Sequence, residues 1–299
     1  MKAALLGAGG QVGTAILKQA EQNSGISIFS LYRNTCDISN ADQVHEQLAR
    51  LKKEQGCALV INAAAWTAVD QAETQETQAM AANHQGSANV ATACAALNLP
   101  LVYLSTDYVF DGRKTTPYTE TDATNPLSVY GRSKAAGEQA VLKTAPRHII
   151  LRTSWVFSAY GQNFLKTMVR LAAERDHLKI VADQIGGPTP ATDIAKAISV
   201  IAKNIAEPDF KNWGTYHYSG SPPTSWHGFA LRIMETLQDR NMKIPNQIED
   251  ITTAQYPLPA ARPAFSVLSC AKIKEVFNIS QPDWQTGTES AIDEILKTG

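Results

Sequence analysis

Short apolar runs alternate with helical patterns through the first half of the chain. Helical stretches such as "ADQVHEQLARLKKE" and "MAANHQGSANVATACAALN" separate the apolar runs. Buried parallel strands joined by crossover helices give this order of elements. The pattern predicts a doubly wound α/β fold whose five strands lie at residues 2–6, 27–32, 58–64, 101–105 and 148–153.

The pattern changes after about residue 155. Helices are predicted at about 163–175, 192–206, 225–241 and 285–297, with a Pro- and Trp-rich region before the third. This second half contains no further nucleotide-binding signature. We therefore predict a Rossmann-type nucleotide domain at residues 1–156, rejoined by about 186–215, and a smaller C-terminal substrate-binding lobe made of 157–185 and 216–299.

A glycine-rich turn follows the first predicted strand and begins a helix. Gly7, Gly10 and Gly13 in "GAGGQVG" have the spacing G-x-x-G-x-x-G. Such glycines allow a tight turn and close backbone approach, and the helix N-terminus offers free N–H groups to a pyrophosphate. The turn predicts a dinucleotide cofactor, and the alternative is a turn with no role beyond joining strand to helix.

No carboxylate stands at the end of the second predicted strand, where an acid usually binds the ribose of NAD. The sequence there reads "SLYRNTCDIS", and Arg33 lies where a cation would meet a 2′-phosphate. We predict that NADP(H) is preferred and that NAD(H) is possible. A solvated surface position is the alternative for Arg33, and Asp37 would either contact the adenine or cap the next turn.

Charge and composition limit the class of partner. With 27 basic and 28 acidic residues, the chain lacks the positive field that nucleic-acid binding or anionic-membrane binding usually needs. The start "MKAALLGAGGQVG" is typical of a strand and not of a signal peptide, and no run reaches the roughly 18 apolar residues of a membrane span. The four cysteines and six histidines are scattered. We expect a cytoplasmic, metal-free protein that binds a small molecule, not nucleic acid or membrane.

Tyr130 and Lys134 are four residues apart in the helical segment "VYGRSKAAGE". Residues at this spacing share a helical face, so both side chains can point into one cleft. A neighbouring ammonium and a cofactor charge would bring the phenol pKa from about 10 towards the working range of a proton donor. The pair alone is a common chance pattern, but a strand ending in "LSTDYVFDG" places Ser105 and Thr106 at the ligand-binding edge of the sheet.

Taken together, these motifs resemble those of the dTDP-4-dehydrorhamnose reductases, a family of extended short-chain dehydrogenases/reductases. The resemblance is nearly end to end. Its further carriers are "VINAAAWTAVDQAE" at 60–73, "YLSTDYVFDG" at 103–112, "TNPLSVYGRSKAAGE" at 124–138, "LRTSWVF" at 151–157, "DQIGGPT" at 183–189 and "ARPAFSVL" at 261–268. It implies reduction of a dTDP-linked 4-keto-6-deoxy sugar with NAD(P)H, the last step of dTDP-L-rhamnose synthesis for cell-surface polysaccharide.

The resemblance also implies site residues. The catalytic triad would be Thr106, Tyr130 and Lys134. Besides the glycines, the cofactor would contact Gln11, Val12, Asp37, Ile38, Ala64 and Ala65, and the substrate would contact Thr106, Asp107, Tyr108 and Trp155, with Arg262 at the diphosphate. Trp155 could instead be a core aromatic residue, Asp107 and Tyr108 could merely shape a loop, and Asp70 and Glu73 fit a solvated or capping arrangement.

Some relatives bind magnesium through acids in the first helix and after the "GGPT" turn, but Ala15 and Thr192 occupy those neighbourhoods here. A hard dication needs oxygen ligands, so magnesium is not expected, and the chain is expected to be a monomer or homodimer. Two other functions stay open. One is a reductase or epimerase of another nucleotide-linked 4-keto sugar, and the other is a non-catalytic NADP-binding regulatory subunit.

Overall fold

The computed structural model of the protein describes residues 1–22 and 25–298. The strands are β1 (Lys2–Leu6), β2 (Ser27–Leu31), β3 (Leu59–Asn62), β4 (Leu101–Thr106), β5 (His148–Thr153), β6 (Val156–Phe157), β7 (His177–Val181), β8 (Ile185–Gly186), β9 (Thr189–Pro190), β10 (Gly214–His217), β11 (Thr224–Ser225) and β12 (Gln247–Ile251). The α-helices are α1 (Gln11–Glu21), α2 (Ala41–Gln55), α3 (Val69–Ala72), α4 (Glu76–Met80), α5 (Gly86–Ala96), α6 (Val129–Thr144), α7 (Phe164–Glu174), α8 (Ala191–Ile205), α9 (Trp226–Asp239), α10 (Ala271–Phe277) and α11 (Trp284–Thr298). A π-helical turn, Ala81–Gln85, joins α4 to α5.

Six parallel strands form the main sheet in the order β10-β5-β4-β3-β1-β2. The five predicted strands are all present, and the predicted doubly wound fold is confirmed. Because the chain moves outwards from β1 to β2 and then returns to β3 on the other side, the strand order reverses between β1 and β3. In such sheets the ligand crevice lies at this reversal, beyond the carboxyl ends of the strands.

Helices cover both faces of the sheet, and the central strands are therefore buried on both sides. On one face α1 and α8 pack together with Leu5, Ile61 and Ile149 of the sheet. On the other face α2 and α5 cover Leu6, Val60 and further sheet residues. The helix that the pattern predicts at about 192–206 therefore packs against the nucleotide half as α8.

The second half forms its own apolar cluster, in which α7, α9 and α11 pack around residues such as Phe229 and Trp284. A two-stranded parallel sheet of β7 and β12 borders it. The expected division at residues 215 and 216 falls inside β10, which pairs with β5, and α10 packs against the sheet through Ile273. The division into a nucleotide domain and a lobe stays a prediction. Among the described residues, no helix is both long and apolar enough to cross a membrane.

Candidate active site

A cleft of about 940 Å³ opens at the carboxyl edge of the sheet, between the sheet and the second half of the chain. It brings together most of the residues that the sequence predicts for the site. These are Gly10, Gln11, Val12, Ala65, Thr106, Asp107, Tyr108, Tyr130, Lys134, Trp155 and Arg262. The size falls within the range of small-molecule sites.

The glycine-rich turn forms one end of this cleft. Gly7 has φ +78°, and a Cβ there would lie 2.5 Å from the Ala64 nitrogen, so only glycine lets β1 and β3 approach this closely. A Cβ on Gly13 would lie 2.3 Å from the Gly7 carbonyl oxygen. Gly10 caps α1 without a side-chain hydrogen bond, and the first turn of α1 contains no acid. The N-terminus of α1 is therefore suited to an anion such as a pyrophosphate.

The start of α6 is held from two directions. Ser128 Oγ accepts a hydrogen bond from the Gly131 N–H at 3.1 Å, and Glu73 Oε1 accepts one from the Val129 N–H at 2.8 Å. Glu73 is therefore a capping residue, one of the two roles that the sequence left open. This capping fixes the start of α6, and the first two turns of the helix present Tyr130 and Lys134 to the cleft.

The Tyr130 phenol is nearly buried, and this burial raises its pKa to about 12, although the nearby Thr106 hydroxyl acts in the opposite direction. Lys134 Nζ donates to the Leu104 carbonyl at 2.7 Å and lies 4.3 Å from the Tyr103 ring centroid. Burial lowers the Lys134 pKa to about 7, although the Glu138 carboxylate opposes that shift. Desolvation is the largest cause of both shifts. A lowering of the Tyr130 pKa by the ammonium together with a cofactor charge stays a prediction.

A buried ion pair lies behind Lys134, and the sequence did not predict it. Arg152 of β5 donates to both carboxylate oxygens of Glu138, at 2.9 and 2.6 Å, and Ser105 donates to the same carboxylate. Tyr130, Lys134 and Glu138 follow one another at intervals of four residues along α6. The sequence signal for this ion pair was therefore a stripe of polar residues at i, i+4 and i+8.

Asn83 is a second residue that sequence reasoning missed. It is fully buried in the π-helical turn, where its amide bonds the backbone of Trp66 in both directions, at 2.8 and 3.0 Å. It also donates to Ser133 Oγ at 2.9 Å, and Ser133 Oγ donates to the Tyr130 carbonyl at 2.8 Å. Asn83 thus braces α6 against the loop after β3. Such π turns occur often at functional sites.

The other predicted substrate residues also line the cleft, next to Tyr130. Thr106 Oγ1 donates to Asp107 Oδ1 at 3.1 Å, and burial raises the Asp107 pKa to about 7. The Tyr108 ring meets the Tyr130 ring edge-on at 5.5 Å. Trp155 has φ +46° and stacks on Trp226 at 3.6 Å, a residue for which the sequence gave no signal.

Several predicted cofactor residues lie outside the lining of the cleft. The Arg33 side chain is 86% exposed and its Nε lies 3.6 Å from Asp37 Oδ2, beyond the end of β2. Ile38 is buried against Gly86, and its carbonyl accepts from Asn89 Nδ2 at 2.9 Å. Ala64 packs on Gly7 behind the glycine-rich turn. The structure places these residues near the carboxyl ends of β1, β2 and β3.

Ala15 and Thr192 line a second cleft, of about 510 Å³, with Lys18 and Glu294. The Lys18 ammonium lies 2.7 Å from Glu294 Oε1, so that carboxylate is already paired with a cation. Asp193 lines the same cleft and lies 2.8 Å from the Lys196 ammonium, and Asp283 accepts from the Thr286 hydroxyl. Because these carboxylates already have partners, the set is poorly suited to a divalent metal. Within the described part of the chain, no three His, Cys, Asp or Glu side chains form a group that could hold a metal ion. Independence from magnesium stays a prediction.

The parallel sheet, the glycine-rich turn and the Tyr130 and Lys134 pair define an NAD(P)-dependent oxidoreductase of the extended short-chain dehydrogenase/reductase type. A family profile described as "RmlD substrate binding domain" matches residues 1–297. A dTDP-4-dehydrorhamnose reductase of Aggregatibacter actinomycetemcomitans is 44% identical over 94% of this chain and 95% of its own length. The chain belongs to the dTDP-4-dehydrorhamnose reductase family.

Two solved structures agree with this membership. A dTDP-4-dehydrorhamnose reductase of Clostridium acetobutylicum is 34% identical and superimposes with a TM-score of 0.88, over 99% of this chain and 100% of that one. A dTDP-4-dehydrorhamnose reductase of Bacillus anthracis, solved in complex with NADP, is also 34% identical with a TM-score of 0.88, over 98% and 99% of the two chains.

Proposed function

We propose that this protein reduces the 4-keto group of dTDP-4-dehydro-β-L-rhamnose to give dTDP-L-rhamnose. The observation that carries the proposal is the convergence of Thr106, Tyr130 and Lys134 with the glycine-rich turn in one cleft, in a chain of this family. The substrate would be a dTDP-linked 4-keto-6-deoxy sugar, and the product would serve polysaccharide synthesis. The four cysteines are free and buried, in keeping with the expected reducing cytoplasm.

The bound nicotinamide would supply the hydride for the carbonyl carbon. Tyr130 would supply the proton for the carbonyl oxygen, and a pKa of about 12 keeps its phenol protonated at neutral pH. Thr106 would hydrogen-bond the same oxygen as negative charge develops on it. Because Asn83 and Ser133 hold the Tyr130 backbone, the proton donor is positioned before the substrate arrives.

Lys134 would hold the nicotinamide ribose, and its ammonium would favour the phenolate left after proton transfer. The fixed N-terminus of α1 would accept the cofactor pyrophosphate next to Gln11 and Val12. We infer a preference for NADP(H) from Arg33, whose exposed guanidinium is near the end of β2 and could bind a 2′-phosphate. NAD(H) would remain a usable cofactor.

The sugar would lie against Thr106, Asp107 and Tyr108, and the nucleotide would extend past Trp155 to Arg262. Arg262 donates to Asp70 through Nη1 and Nη2 and to the Ala260 carbonyl through Nη1. The N–H groups that these bonds do not use would meet the diphosphate. The proposed reaction gives no role to a metal ion. The protein would act as a monomer or a homodimer.

The deciding experiment measures NADPH oxidation with a panel of nucleotide-linked 4-keto sugars. We expect turnover with dTDP-4-dehydro-β-L-rhamnose and the product identified as dTDP-L-rhamnose. Faster turnover of another 4-keto sugar would favour a sister reductase. Tight NADPH binding without oxidation by any sugar would favour the regulatory subunit.

A further inference from the structure

The segment 158–163, between β6 and α7, contacts the glycine-rich turn of the cofactor site. Ser158 Oγ donates to Gln11 Oε1 at 3.0 Å, and Asn163 Nδ2 donates to the same oxygen at 2.8 Å. Gly161 has φ +62°, and a Cβ there would lie 3.1 Å from Gln11 Cγ, so the backbone packs directly on this side chain. Gln11 is the first residue of α1, and its side chain is held from the other half of the molecule.

Asn163 makes a second contact on the substrate side. Its Oδ1 accepts from the Lys166 N–H at 3.0 Å, which makes Asn163 the N-cap of α7. The first turns of α7 line the cleft through Phe164, Thr167 and Met168. The same amide nitrogen donates to the Ser158 and Tyr160 carbonyls at 2.8 and 3.3 Å. One amide group therefore bonds the cofactor turn and its own segment through its nitrogen, and the substrate-side helix through its oxygen.

The segment is also anchored through Tyr160. Tyr160 bonds Glu294 of α11 through its hydroxyl, which also accepts from Lys18 of α1. Lys18 Nζ donates to Glu294 at 2.7 Å and lies 4.2 Å from the Tyr160 ring centroid. These contacts of Tyr160 tie the segment to both α1 and α11.

We propose that Asn163 is a positioning residue that couples binding of the dinucleotide cofactor to binding of the nucleotide sugar. The inference rests on the proposed function. A cofactor that fixes Gln11 also fixes the Asn163 amide and the N-cap of α7, so the substrate wall is ordered before the sugar binds. Because binding linkage is reciprocal, the sugar nucleotide tightens cofactor binding by the same factor.

The test uses isothermal titration of the full chain with NADP⁺ and with dTDP, each alone and each in the presence of the other. In the wild type we expect each ligand to tighten the other about fivefold or more. Asn163→Ser and Asn163→Asp keep a capping oxygen but lose the amide N–H groups. Both variants should bind NADP⁺ three- to tenfold more weakly than the wild type. In both, each ligand should change the affinity for the other by less than twofold. Because serine adds no charge, a loss seen in both variants comes from the missing N–H donors and not from the negative charge of aspartate.

Hydrogen exchange gives a readout that does not depend on the sugar. In the wild type, NADP⁺ should slow exchange of the amides at 164–174 relative to the ligand-free wild type, and in Asn163→Ser it should not slow exchange relative to ligand-free Asn163→Ser. Unchanged coupling or unchanged protection in Asn163→Ser would overturn the inference. If dTDP fails to bind the wild type, the proposed substrate is wrong, and the exchange experiment still decides the role of Asn163.

Discussion

Asp70 and Arg262 form a bidentate ion pair on one side of the cleft, although they are 192 positions apart in the chain. Arg262 Nη1 and Nη2 donate to the two Asp70 oxygens at 3.0 and 2.7 Å, and the Ala260 N–H donates to the same carboxylate. The pair joins α3 to the segment 253–262, which lines the cleft. A carboxylate thus holds the cation that we place at the substrate diphosphate.

Arg262→Met should weaken dTDP binding at least tenfold. The change removes a charge-assisted donor and leaves the Asp70 carboxylate unpaired beside the diphosphate. Adding Asp70→Asn to this variant should restore part of the affinity, because the repulsive charge is then absent. Titration calorimetry of both variants measures this, and wild-type affinity in Arg262→Met would place the diphosphate elsewhere.

NADPH should have a kcat/KM at least equal to that of NADH, and Arg33→Ala should lower this preference. The guanidinium is exposed and its pair with Asp37 is a surface pair, so folding should be unaffected. Arg170→Ala is the matched control, because Arg170 is another exposed arginine with an acid four residues later. A wild-type preference of tenfold or more for NADH would contradict the role of Arg33.

Chelation by EDTA should leave the reductase activity nearly unchanged. Ala15 and Thr192 carry no carboxylate, and Glu294 is paired with Lys18 in the cleft that they line. The check compares steady-state rates and melting temperatures with EDTA and with added magnesium. Loss of most of the rate on chelation, with recovery in magnesium, would mean that other residues bind the metal.

The sheet, the glycine-rich turn and the face shared by Tyr130 and Lys134 could be predicted because each depends on residues close in sequence. Strand and helix periods are local, and parallel strands bring their carboxyl ends to one edge. Thr106, at the end of β4, was therefore predicted near a tyrosine 24 positions away. The fold class followed from the same alternation.

The contacts that hold these groups could not be predicted, because they join distant parts of the chain. Nothing local relates Asn163 to Gln11 or Arg262 to Asp70. The raised pKa of Tyr130 could not be predicted for a different reason. Charge pairing was visible in the sequence, whereas the desolvation that outweighs it depends on how completely the folded chain covers the phenol.

Asp107→Asn should stabilise the protein more at pH 8 than at pH 4. The Asp107 pKa is raised by burial to about 7 from an ordinary value of 3.8. Between these values the folded state binds more protons than the unfolded state, so the free energy of unfolding falls as pH rises. Asparagine resembles the protonated acid and does not titrate. The difference between the two proteins in urea unfolding should grow by about 1 kcal/mol or more over this range, and a constant difference would contradict the raised pKa.

Tyr130→Phe should abolish most of the chemistry and leave the fold intact. The variant keeps the ring and removes only the proposed proton donor, so kcat should fall by roughly 10² to 10⁴, the usual contribution of a general acid. Stability should change by under about 1 kcal/mol.

Tyr216→Phe is the matched control. The Tyr216 hydroxyl lies away from the cleft and donates to the Asn212 carbonyl at 2.7 Å, so its loss should affect stability but not turnover. Lys134→Met should lower both turnover and NADPH affinity. Single-turnover NADPH oxidation with the dTDP-linked 4-keto sugar, together with a melting curve, measures each variant. Near wild-type turnover in Tyr130→Phe would mean that the proton comes from another group.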